Sequence, residues 1–79
     1  MDQEQIYRYV MANDGFKDLG WYIDDSDSIE VGDQFIVDYR YEDTRAYAKS
    51  VIQCTASHAP YPVNKTKSII EIVKRFKAT

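Results

Sequence analysis

The chain is poor in the residues that most often carry chemistry. It has one cysteine, Cys54, and one histidine, His58. A single cysteine closes no intramolecular disulfide, and one of each is too few for a structural zinc site. Neither glycine-rich phosphate loop, GxGxxG or GxxxxGK, occurs, so nucleotide binding by those routes is not expected. No run approaches the roughly 18 consecutive apolar residues of a membrane span. The start, MDQEQIYRYV, lacks the basic opening and apolar stretch of a secretory signal. The expectation is a cytoplasmic protein without membrane contact. In that setting the Asn64-Lys65-Thr66 sequon is a chance match.

The few candidates for chemistry also fall short. Cys54 and His58 are four residues apart. A thiol and an imidazole make a nucleophile and base only if the fold brings them within hydrogen-bond reach and a third group orients the base. No third group is apparent, so Cys54 reads as a small buried residue and His58 as a loop residue. The acidic stretch Asp24-Asp25-Ser26-Asp27-Ser28-Ile29-Glu30 invites a calcium reading. Counted from Asp25, however, Ile29 takes a ligand position and Glu30 the position that needs glycine, so the stretch reads as a solvated loop. No catalytic residue, metal or cofactor is assigned, and an enzyme is not expected.

What remains is a compact composition. At 79 residues, 44% hydrophobic and 29% charged, the chain is too apolar for disorder and has room for one domain. A domain of this size buries only about 60% of its unfolded surface, which leaves little space for an enclosed active site. Thirteen acidic against ten basic residues give a net charge of −3, opposite in sign to the usual footprint of a nucleic-acid binder. The charge is polarised, with Asp24, Asp25, Asp27, Glu30 and Asp33 near the middle and Lys65, Lys67, Lys74, Arg75 and Lys77 near the end.

Period-two patterning and β-branched or aromatic content predict strands over 5–11, over 19–24, over 34–41 and over 45–54. Asn13-Asp14-Gly15 reads as a reversal between the first two. Val31-Gly32-Asp33 reads as a tight turn with Gly32 at positive φ, and Val31 to Val37 as the spine of the sheet. Glu42-Asp43-Thr44 reads as the connection between the third and fourth strands, and Pro60 and Pro62 impose an irregular segment around Tyr61. The segment 68–76 is ambiguous. Ile69, Ile70, Ile72, Val73 and Phe76 make a stripe on a helix, whereas four β-branched residues in five positions favour a strand.

The order Val31-Gly32-Asp33-Gln34-Phe35-Ile36-Val37, a second strand Ala48 to Cys54, Ala59-Pro60-Tyr61-Pro62 and Lys65-Thr66-Lys67-Ser68-Ile69-Ile70 resembles a group of small uncharacterised bacterial and phage-type domains. Their shared layout is VGD-strand-strand-PxP-KTKxI. It is similar, more distantly, to the N-terminal DNA-binding β-barrel of primosomal helicases. The resemblance covers about residues 19 to 73 and implies a closing strand after Lys67. It implies contact with a nucleic-acid end only for the distant relative, and carries over no base-contacting residue.

Seven tyrosines are the other conspicuous feature. Tyr7 with Tyr9, and Tyr39 with Tyr41, are two apart, which on a strand places each pair on one face. Exposed, such pairs stack bases or anchor a protein partner; covered, they are core and rim. Trp21 and Phe35 read as core. The expected fold is a single mainly β domain, a small, partly open antiparallel SH3-like barrel of about five strands, with the C-terminal segment as strand or helix. The expected function is a non-enzymatic module binding a protein partner, as a monomer or as a weak homodimer through an exposed edge at 5–11. The alternative is nucleic-acid binding. The candidate binding residues are Tyr39, Arg40, Tyr41, Arg45, Lys49, Lys74 and Arg75, and a cationic face beside exposed tyrosines favours nucleic acid.

Overall fold

A computed structural model describes residues 4–76. Among them the chain forms five strands: β1 (Ile6–Asn13), β2 (Asp18–Ile23), β3 (Gln34–Tyr39), β4 (Glu42–Thr55) and β5 (Glu71–Lys74). Two short 3-10 turns, Ala56–His58 and Val63–Lys65, interrupt the run between β4 and β5. All strand pairs are antiparallel in one sheet of order β2-β1-β4-β3-β5. The mainly β architecture, the strand number and the open sheet match the expectation. The C-terminal segment is strand over Glu71–Lys74, because β3 supplies hydrogen-bonding partners at Gln34 to Ile36 that outweigh the helical spacing.

β4 is the backbone of the sheet. Its first half pairs with β3 and its second half with β1, and Tyr47 meets both Gln34 and Asn13. The β1–β4 register shifts between Met11 and Ala12, which bends the strand as bulges do and lets one 14-residue element serve both halves of a curved sheet. Val10, Ala12, Tyr22, Ile29, Phe35, Val37, Ala46 and Ala48 pack together as the hydrophobic core. Phe35 and Val37 are fully buried and each contributes about 1.5–3 kcal/mol relative to exposure. Val31, expected in the spine, is exposed, since the chain enters the sheet only at Gln34.

β1 lies between β2 and β4 and is paired on both sides from Tyr9 onward, so of the edge expected at 5–11 only its start, Ile6–Arg8, is paired on the β4 side alone, with the Arg8 carbonyl taken by the Asp24 amide (2.9 Å). The sheet edges are β2 and β5. They are tied at one point, where Ile23 donates to the Lys67 carbonyl (3.0 Å) and Ile69 donates to the Ile23 carbonyl (2.9 Å). Ile70 then donates to the Ile36 carbonyl (2.9 Å). Residues 67–70 thereby stitch β2 to β3 near Ile23 and Ile36. Beyond this stitch no strand lies between Leu19–Tyr22 and Asp38–Arg40, and the barrel stays open there.

Two aspartates organise the long β2–β3 loop, where the sequence suggested only solvated charge. Asp24 is buried, and its carboxylate accepts hydrogen bonds from the amides of Ser26 (2.9 Å), Ser28 (2.9 Å) and Ile29 (2.8 Å) and from the Ser26 hydroxyl. Arg8 lies 3.5 Å away. Burial opposes ionisation of Asp24, but the hydrogen bonds from Ser26, Ile29 and Ser28 outweigh it and hold its pKa below the ordinary 3.8. Asp33, also buried, accepts from the Glu30 amide (2.9 Å), the Phe76 amide (2.8 Å) and Arg75 (3.1 Å). Its pKa is likewise depressed, because these bonds outweigh burial. Asp25 and Asp27 remain exposed.

Candidate aromatic and cationic cleft

The open side of the barrel is a cleft of about 400 Å³. Its walls come from three segments distant in sequence: Leu19–Tyr22 of β2, Asp38–Arg40 at the end of β3, and Tyr61, Lys65 and Lys67 of the irregular connection. Gly20 sits in mid-strand at φ 133°, and a Cβ built there meets nothing within 4 Å, so this part of β2 presents bare backbone beside the cleft. Tyr22 is buried and reaches across, its hydroxyl donating to the Asp38 carbonyl (3.0 Å). Burial, the dominant influence, pushes the Tyr22 hydroxyl above its ordinary pKa of 10.0.

The Pro-Tyr-Pro segment is positioned from the sheet. Tyr9, fully buried, packs edge-on against Trp21 (centroids 6.4 Å apart, planes at 70°) and donates its hydroxyl to the Tyr61 carbonyl (2.8 Å). Lys67 is placed by an ion pair to Asp38 Oδ2 (2.9 Å), and that hydrogen bond raises its pKa above 10.5. Lys67 Nζ also lies 5.4 Å from the Tyr41 ring centroid. Two further cations approach Tyr39: Lys17 Nζ at 5.4 Å and the Arg40 guanidinium at 5.2 Å from its centroid. At exposed sites such contacts are worth about 0.5–1 kcal/mol each. The Lys17–Tyr39 contact sets the β1–β2 turn beside the end of β3. At the tips of the β1–β2 and β3–β4 hairpins Phe16 and Tyr41 are 97% and 95% exposed.

In the lining, Arg40, Lys65 and Lys67 face one carboxylate, Asp38, and none of Asp24, Asp25, Asp27, Glu30 and Asp33 contributes. The acidic loop thus lies outside the cleft, while Arg75 of the basic end pairs with Asp33 in that loop. The arrangement offers aromatic faces and fixed positive charge in an open trough.

The candidate residues divide. Tyr39 and Arg40 line the cleft, and Tyr41 stands at its rim beside Lys67. Tyr39 and Tyr41 do not share a strand face, because β3 ends at Tyr39 and Arg40-Tyr41 is the turn; Glu42 to Thr44 are already part of β4. Arg45 and Lys49 are elsewhere: Arg45 bonds Gln34 Oε1 (3.0 Å) and Lys49 pairs with Asp18 (3.2 Å). Lys74 is exposed on β5, opposite Gln34. Arg75 is engaged within the fold, donating to the Ser28 carbonyl (2.9 Å) and to Asp33 (3.1 Å). Lys77 lies outside the described residues.

Sequence reasoning missed Lys17, Tyr61, Lys65 and Lys67 as site residues and took Trp21 for core, whereas it is half-buried and lines the cleft. A glycine inside the Leu-Gly-Trp-Tyr strand was the available signal, since glycine in a strand marks a bend or a close approach. Cys54 is half-buried, and the His58 ring nitrogen meets the hydroxyls of Thr55 (3.2 Å) and Ser57 (3.3 Å) rather than the thiol. Among the described residues no cluster of side chains suits a metal ion, and no helix is long and apolar enough to cross a membrane. Comparison with family models, curated proteins and solved structures finds no match to this chain.

Proposed function

We propose that this chain is a non-enzymatic binding module that takes single-stranded nucleic acid in the cleft between β2, the end of β3 and residues 61–67. The supporting observation is the combination in one open trough of Trp21, Tyr39 and Tyr61 with Arg40, Lys65 and Lys67. Aromatic faces stack bases whatever their sequence, and lysine and arginine beside them neutralise phosphates. The likeness in layout to the primosomal DNA-binding barrel is in keeping with this reading. The net charge of −3 predicts modest affinity, with the acidic loop kept away from the strand.

The single tryptophan is a built-in reporter, because it lines the cleft. An oligothymidylate of about 15 nucleotides, the upper end of the site sizes of such small barrels, is expected to quench Trp21 emission at low salt. Three phosphate contacts predict a slope near −2 in log affinity against log salt, at about −0.7 per contact on a single strand. No quenching and no anisotropy change of a labelled oligonucleotide at low salt removes the reading.

A protein partner is the second reading, and the β5 edge favours it. Val73 is exposed on this short edge strand and Ile70 and Phe76 are exposed just before and after it, leaving an apolar edge open to strand addition. Pairing of two copies through β5 makes a concentration-dependent dimer in sedimentation, and a monomer throughout excludes that form of it.

A further inference from the structure

Arg40 and Tyr41 are the two central residues of the β3–β4 turn, at φ 52° and 68°. Two-residue turns with positive φ at both positions are normally filled by Asn-Gly or Asp-Gly, which enter the left-handed region at little steric cost. Arginine and tyrosine carry long side chains into that region, and the ladder pairs Tyr39 with Glu42 and Asp38 with Asp43 hold them there. Neither side chain recovers the cost by burial. Tyr41 is almost fully exposed and Arg40 is exposed. Their contacts are on the cleft rim, Arg40 over Tyr39 and Tyr41 under Lys67.

A turn that only reversed the chain has no use for these residues. We propose that the Arg40–Tyr41 turn is the grip of the cleft, with Arg40 contacting a phosphate and Tyr41 stacking a base of the bound single strand. Alternation of cation and ring is what a strand of phosphates and bases presents in complement, and Phe16 at the neighbouring tip extends the ring-bearing surface. The inference rests on the nucleic-acid reading of the cleft and adds that its affinity is held at the expense of stability in this turn.

The test replaces the pair by the residues such a turn prefers, Arg40→Asn with Tyr41→Gly, and compares the double variant with the parent on labelled oligothymidylate. The expected melting temperature rises by about 5 °C. Affinity falls about tenfold or more, and the salt slope becomes shallower by about 0.7. Tyr41→Trp alone keeps the ring and retains parental affinity. Equal binding by the double variant and the parent overturns the inference while leaving the cleft reading intact, as does a lower melting temperature. Competition by polyglutamate as effective as that of an oligonucleotide of equal charge also overturns it, because the turn then senses charge alone. A parent that binds no oligonucleotide at low salt refutes the cleft reading and this inference together.

Discussion

At the scale of single residues, Gly32 shows how a local requirement and a distant contact coincide. Its φ of 97° already favours glycine, and a Cβ added there falls 2.9 Å from Cγ of Phe76. Gly32→Ala is expected to lower stability by about 1–3 kcal/mol, read from the urea midpoint, because it combines left-handed strain with a clash. Adding Phe76→Ala removes the contacts to Cγ and Cδ2 but keeps Cβ at 3.0 Å and the strain, so the double variant is expected to regain a small part of the loss in a double-mutant cycle. The φ requirement was legible from Val31-Gly32-Asp33. The contact with Phe76 was not, since it joins residues 44 apart in the chain through the pairing of β5 with β3.

At the scale of elements, the C-terminal segment was undecided because its sequence carries both periods. Ile69 and Ile72 pack against the core, while Ile70, Val73 and Phe76 are exposed, which neither a clean helical stripe nor a regular alternation describes. The partner settles it: β3 offers free backbone groups, and the strand lasts only while they do, from Glu71 to Lys74. Arg75 then locks the end to Ser28 and Asp33. Arg75→Ala is expected to cost about 1 kcal/mol, the value of a partly exposed ion pair with its hydrogen bonds. Amide exchange should quicken across Glu71–Lys74 and stay slow in β1 and β4. Unchanged exchange in β5 would show that the latch does not hold the strand.

At the scale of the whole molecule, Asp24 and Asp33 tie the β2–β3 loop and the C-terminal segment to the sheet, and both have depressed pKa values. A carboxylate whose folded pKa lies below its unfolded value stabilises the fold above the unfolded value, and that contribution is lost as pH falls through the folded one. Stability is therefore expected to be level towards neutral pH and to decline below the ordinary value of 3.8, in urea midpoints measured against pH. Asp24→Asn should lower the neutral plateau by about 1–3 kcal/mol, since the amide keeps one accepting oxygen and turns an NH2 towards backbone donors, and should flatten the acid decline, since the amide does not titrate.

The sequence by itself determined the first four strands, the Gly32 turn, the mainly β class and the order of acidic and basic segments along the chain. Each follows from local properties: side-chain alternation, left-handed tolerance of glycine, and charge order along the chain. The cleft was decided only by tertiary structure. Leu19–Tyr22, Asp38–Arg40 and Tyr61–Lys67 meet because 67–70 bridge β2 to β3 at Ile23 and Ile36 and no strand fills the gap beyond. Strand order and the point of closure are set by long-range hydrogen bonds between segments, and a period of two, which is the same for every strand, carries no record of which neighbours it will have.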